Sequence, residues 1–331
     1  SVIRRVPNAV LRFIAAVGGS AALFLYATPV VQAHGFGERY DLPVPLSFFI
    51  VGAIGVIGFS FLVTGLFASN KTPQGHGTLD LISTFPGKQL STEPVLSIIR
   101  LVSVIVFVAV LVAALTGSST PSENIAPVTV WIIFWVGVAY VNGFLGNIWD
   151  LINPWAVIFT WTLRLVNHRN GDTKLPPLLK YPEWMSAWPA VLLFLAWAWI
   201  EIVYTNGAEP RTLGVLTLLY SAITWSGMAV FGRDIWLKNC EIFTLIFGFF
   251  ARFALTEGTN QLGQRRWRLR VPGSGLVNES VQSPAHSIFI VIVLAMVTFD
   301  GFAETSLWSS IISNAYDTLG WAGPSTLTIL A

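Results

Sequence analysis

Long apolar runs limit what this chain can become before any motif is considered. A helix needs about 20 mostly apolar residues to cross roughly 30 Å of hydrocarbon. Stretches near 10–31, 46–68, 95–116, 127–145, 186–205, 212–231 and 284–307 each meet that demand, with a weaker one at 240–256. Inside lipid every backbone N–H and C=O must be satisfied within the segment or its neighbours, so runs of this kind become helices. The expected fold class is all-α, a polytopic transmembrane helical bundle of about 7–8 spans plus an interfacial or re-entrant helix. Charged residues make up only 11% of the chain, well under the ~25% of soluble domains, and the mean hydropathy is +0.66. No internal repeat is evident, and no polar stretch is long enough to build a separate core. Residues 1–331 read as one integral membrane domain.

Lys and Arg collect in loops that stay on the cytoplasmic side, so the loops can be read in order. Arg4, Arg5 and Arg12 place the N-terminus inside. The apolar core that follows, with Val31-Gln32-Ala33 after it, imitates a secretory signal; we read it as a retained first transmembrane helix over 10–31. The string from His34 to Pro45 then lies outside. The basic, Pro-rich loop 164–183 lies inside, with Arg164, His168, Arg169, Lys174 and Lys180. If 240–256 spanned the membrane, the cluster Arg265-Arg266-Trp267-Arg268-Leu269-Arg270 would be exported, against the strongest basic signal present. The expectation is therefore an interfacial or re-entrant segment over 235–256, with Arg252 reaching headgroups and Cys240 near the surface, followed by a basic cytoplasmic loop over 257–282. The apolar run Ser325–Ala331 reads as the opening of a further span.

Composition narrows function. A net charge of +2 excludes nucleic acid as a partner. One cysteine, Cys240, excludes an intrachain disulfide or a cysteine metal cluster. Fourteen Trp and 23 Phe suit aromatic belts at two interfaces. The partners this leaves are the lipid bilayer and other membrane proteins, and helical spans point to a bacterial inner (plasma) membrane.

Polar residues set into an apolar chain supply the candidate sites. His34, Glu38, Arg39 and Asp41 fall on the same side as Asp300 and Glu304, and Glu201 near the outer end of its span joins them. Asp300 and Glu304 lie four residues apart, on one helix face. Imidazole with carboxylates is a hard N/O ligand set suited to a divalent metal such as Zn or Mn, which lowers the pKa of bound water. His34, Asp41, Asp300 and Glu304 would be its ligands. The competing reading is an ion pair of Arg39 with Asp41 or Asp300 in a turn shaped by Gly35, Gly37, Pro43 and Pro45. A second candidate is Val141–Trp155, where Asn142, Asn147 and Asn153 would either line a broken-helix substrate site or cap an interfacial turn anchored by Trp149 and Trp155. His286 is open to haem ligation or an ordinary helix-end hydrogen bond. Glu201 is an acid in an apolar span, functional or paired. Gly52, Gly55 and Gly58 read as close-packing points between helices.

Five strings in order, His34–Pro45, Gly146-Asn147-Ile148-Trp149 through Asn153-Pro154-Trp155, Phe231-Gly232-Arg233-Asp234-Ile235-Trp236, Arg268–Leu276 and Thr298-Phe299-Asp300-Gly301, resemble a family of bacterial polytopic membrane proteins labelled membrane-bound fenitrothion hydrolase. The resemblance implies attack of an activated water on a neutral phosphotriester with loss of a phenol. His34, Asp41 and Asp300 would then act as ligands or general base, and Arg39 would stabilise charge on the phosphoryl oxygen. The alternatives from another class are a non-catalytic accessory subunit of an energy-transducing membrane complex, or a small-molecule or metal-ion transporter. A transporter would need a polar path from Glu201 to the Asn142–Asn153 segment.

Overall fold

The computed structural model describes residues 80–166, 176–204, 206–261, 264–276, 283–303 and 305–319, with 50–52, 54, 55, 58 and 62. It is an all-α bundle, and five of its helices are long and apolar enough to cross a membrane: Glu93–Thr116, Ile125–Leu145, Glu183–Ile202, Pro210–Phe231 and Pro284–Ala303. We label the elements in chain order: α1 Glu93–Thr116, α2 Ile125–Leu145, α3 Trp149–Ile152, α4 Pro154–Val166, α5 Trp188–Ile202, α6 Pro210–Phe231, α7 Arg233–Asn239 and α8 Ile242–Ala251. A hairpin of β1 Thr256–Gln261 and β2 Gln264–Leu269 follows, then α9 Pro284–Ala303 and α10 Ser306–Leu319. The span expected at 10–31 lies outside the described residues, as does most of 46–68.

Proline and glycine place the ends of the spans. Pro94, Pro189 and Pro210 each sit in the first turn of their helix, where a missing N–H costs nothing. Asn124 closes the turn between α1 and α2: its Nδ2 donates to the Ala113 and Ser118 carbonyls, both at 2.8 Å, and its Oδ1 accepts from Ala126 N at 3.0 Å. The middle of α2, Val128–Val138, is wound as a π-helix.

One of the two sequence readings of Val141–Trp155 changes at the end of α2. The chain does not form an interfacial turn after Leu145; it turns back. Gly146 adopts φ 131°, a conformation that a side chain disfavours, and it ends the helix. Residues 147–153 then climb beside α2, held where Asn142 Oδ1 accepts from Trp149 N at 3.1 Å. Ser103 donates to the Ile152 carbonyl near the middle of the 24-residue α1, so the tip of this limb stands near mid-depth. From Asn153 the chain returns as α4. Its 13 residues reach ~20 Å, too short to cross.

The same course repeats after α6. Gly232 has φ 92°, α7 climbs back with Trp236 stacked on Phe231, and Glu241 meets Tyr220 at the midpoint of α6. From there α8 descends until Leu255 N bonds the Phe144 carbonyl beside the end of α2. Ten residues give α8 a length of ~15 Å. Of the two readings of this segment, interfacial or re-entrant, the structure has the re-entrant one, built as a hairpin of two helices rather than one. Cys240 at its tip is 0% exposed rather than near the surface, and Ile242, Phe243, Leu245, Ile246 and Phe247 of α8 are buried. The basic loop expected over 257–282 includes the antiparallel β1–β2 hairpin, with Glu257 opposite Arg268 and Gly258 opposite Trp267.

An internal repeat therefore exists where the sequence showed none. Each unit comprises a span, an oppositely directed span ending at a positive-φ glycine, a climbing limb bearing Ile-Trp, and a descending half-helix: α1–α4 and α5–α8. The units interlock, with α8 packing on α2 and α6 packing on both α1 and α4. Phe243 is the centre of the shared core, its ring 4.6 Å from Phe134, 5.1 Å from Trp197 and 5.4 Å from Tyr220. Lipid tails are as apolar as these rings, so burial alone does not favour their association. Edge-to-face aromatic geometry adds about 0.5–1.5 kcal/mol per pair beyond area. Gly52, Gly55 and Gly58, expected at helix contacts, have no described atom within 4 Å of where a Cβ would stand.

Candidate functional site

The two half-helices start at nearly the same point. α8 opens on Glu241, whose carboxylate accepts from its own first turn, Phe243 N at 3.1 Å and Thr244 N at 2.8 Å. α4 opens on Asn153, whose Oδ1 accepts from Ala156 N at 3.1 Å. Asn153 Nδ2 then donates to Glu241 Oε2 at 3.2 Å and joins the two caps. Trp149 Nε1 donates to the same oxygen at 3.4 Å, and the hydroxyls of Tyr220 and Thr244 complete the shell. Six donors thus converge on one carboxylate that is 0% exposed, so every bond it makes is one it accepts. No cation is among these partners. Two helix N-termini point at the carboxylate, and each carries a partial positive charge.

In front of this knot lies a cavity of about 660 Å³ between α1, α2, α5, α6 and the tips of both hairpins. Its accessible wall is almost wholly apolar, with Phe107, Phe134, Trp149, Trp155, Trp197 and Phe243 among its rings. Of its hydroxyls, two turn their protons away from it: Ser103 donates to the Ile152 carbonyl and Tyr220 donates to Glu241; those of Thr129 and Thr217 also line it. Ile98, Val102, Val106, Ile133 and Ile223 are exposed along the rim, so the cavity opens sideways, toward lipid in a spanning bundle.

The candidates expected from the sequence fall into three groups. His34, Arg39, Asp41 and Glu304 lie outside the described residues. Asp300 is exposed on α9 and acts electrostatically on Glu201 of α5, so the structure brings that pair together. Among the described residues no group of three or more His, Cys, Asp or Glu could hold a metal. Glu201 stands beside the indoles of Trp135 and Trp197, and its Oε2 is buried without a described hydrogen-bond partner. His286 bonds Ser283 Oγ through Nδ1 at 2.8 Å, an ordinary helix-end contact. Asn142 and Asn153 are both buried and both satisfy turned backbone. Between Glu201 and these asparagines stand Trp135, Trp197 and Phe243, an aromatic wall rather than a polar path.

Sequence reasoning missed Glu241 and Tyr220. The available signal was an acid one residue ahead of the apolar run Ile242–Ala251, with Thr244 three residues after it, an N-cap pattern. Cys240 sits beside it. Tyr181 Oη donates to the Ser186 carbonyl at 2.6 Å, which leaves Cys240 to donate to Tyr181 Oη across 3.3 Å.

Comparison of the chain with protein-family models, curated proteins and solved structures finds no match.

Proposed function

We propose that this integral membrane protein takes up a neutral, largely apolar small molecule sideways from the bilayer, into the cavity between α1, α2, α5 and α6. The observation that carries the reading is that cavity: about 660 Å³, within the range of small-molecule sites, apolar-walled, and rimmed by exposed aliphatic residues. The knot at Glu241 fixes its floor without presenting a charge to it.

A second reading has one observation in its favour. The resemblance to membrane-bound fenitrothion hydrolases implies cleavage of a neutral phosphotriester, and Glu201 with Asp300 places a carboxylate pair behind the cavity wall at Trp197 and Ile200. A metal-assisted route would require His34, Asp41 and Glu304 to join Asp300. The bacterial inner membrane and a cytoplasmic N-terminus follow from the basic loops and belong to the same proposal.

Both readings are tested on one preparation. Whole protein in detergent is titrated with bromocyclohexane, whose bromine quenches nearby tryptophans, beside Val106→Trp, which fills the rim. Saturable quenching in the unsubstituted protein and its loss in the variant are expected; no saturable quenching overturns the uptake reading. The same samples then receive a nitrophenyl phosphotriester. Nitrophenolate release that disappears in Glu201→Gln or Asp300→Asn establishes the hydrolase, and no release removes it.

A further inference from the structure

We infer that the natural occupant of the cavity is an extended hydrocarbon chain longer than one leaflet is deep, a long isoprenoid or alkyl chain, rather than a compact ring. The inference rests on the uptake reading above and adds the ligand class. The cavity follows α1 along one face, from Ile98 through Val102, Val106 and Val110 to Ala114. At a rise of 1.5 Å per residue that face is ~24 Å long, while a leaflet is ~15 Å, half of the ~30 Å hydrocarbon thickness.

The wall chemistry agrees with the shape. Ser103 and Tyr220, the hydroxyls nearest the hairpin tips, have their protons committed to Ile152 and Glu241. A polar ligand group placed there would lose its water and gain no donor in return. A chain of methylenes or isoprene units loses nothing and gains dispersion contacts with Phe107, Phe134 and Phe243 along the trough. The exposed rim at Val102, Val106 and Ile133 lets such a chain enter sideways from lipid, along its whole length at once.

The test is competition against bromocyclohexane quenching on the whole protein in detergent. Competitors are the n-alkanes from hexane to octadecane, a linear isoprenoid hydrocarbon and adamantane, compared at equal mole fraction in the micelle so that partitioning cancels. Octadecane or the isoprenoid should compete at least tenfold better than hexane and adamantane. Val106→Trp should abolish the difference, with Ile133→Trp as the second obstruction should the first variant fold poorly. Adamantane competing as well as the long chains overturns this inference and leaves the uptake reading standing. Absence of saturable quenching by bromocyclohexane overturns both, and assigns the groove to another part of the protein or to a second copy.

Discussion

Glu241→Ala removes the one acceptor on which six donors converge, and the structure sets the size of the effect. Four of the donors are side chains, Trp149, Asn153, Tyr220 and Thr244, and two are backbone N–H groups of Phe243 and Thr244. Each buried donor left unsatisfied costs about 1–3 kcal/mol. The hydroxyls of Tyr220 and Thr244 can rotate and water can enter the vacated volume, so the sum is not reached. A loss of ~4 kcal/mol is expected, at the upper end for a single substitution. Glu241→Gln keeps one acceptor oxygen and turns an NH₂ toward other donors, for ~2 kcal/mol; Tyr220→Phe removes one charge-assisted bond, for about 1.5–3 kcal/mol. Reversible unfolding with increasing SDS mole fraction in mixed micelles, followed by tryptophan fluorescence, should show Glu241→Ala as the least stable of the three variants. Glu241→Ala within ~1 kcal/mol of the unsubstituted protein would refute the argument, because unpartnered buried donors cannot be that cheap.

Gly146→Ala should destabilise more than Gly232→Ala in the same assay. Both hold positive φ, but a Cβ at Gly146 would stand 2.6 Å from Thr256 Oγ1, whereas at Gly232 the nearest atom is 3.6 Å away. Gly227→Ala should fail for a different reason, since its Cβ would meet the Trp236 ring at 2.2 Å; Trp236→Leu should recover part of the loss in the double variant. Cys240 should resist maleimide in the folded protein near pH 7.5 and react on unfolding. The residue is 0% exposed, and a buried thiol in apolar surroundings is inert. Rapid labelling at pH 7.5 would show that the hairpin tip opens.

The spans were legible because length and hydropathy are physical requirements of crossing a bilayer. The expected 95–116, 127–145 and 212–231 coincide with α1, α2 and α6 to within a turn, and the expected 284–307 stops at Ala303, where α10 begins separately at Ser306. A re-entrant segment over 235–256 was one of the two readings the sequence offered, but the pairing of limbs in the two hairpins was not legible. Limbs as short as Trp149–Ile152 and Arg233–Asn239 give no periodicity to read, and α8 is apolar all round because it is buried all round. Glu241 beside such a run went unnoticed, since nothing local says that Tyr220 and Trp149 will meet it. The repeat hid for a related reason. Its units share a positive-φ glycine, an Ile-Trp pair and a cap, but the caps differ in chemistry, Asn153 in one and Glu241 in the other. Of the candidate site, the sequence grouped Glu201 with Asp300 on one side, where Asp300 acts electrostatically on Glu201, and it left Asn142 and Asn153 between a broken-helix site and an interfacial turn, where the structure buries both.

The difference between the caps is a consequence of where they meet. Two half-helix N-termini facing one another at mid-depth make a single positive pole, and one carboxylate suffices for both. A second acid at position 153 would stand about as far from Glu241 as the amide does, 3.2 Å, and like charges at that distance cannot both stay ionised. Asparagine resolves this because it carries both functions: Oδ1 caps its own helix at Ala156, and Nδ2 donates to the neighbouring unit's acid. The asymmetry also explains the apolar cavity. With the donors around Glu241 turned toward it, Trp149, Tyr220 and Phe243 line the trough with their rings, so the carboxylate's polar shell and the apolar cavity wall are built from the same three residues.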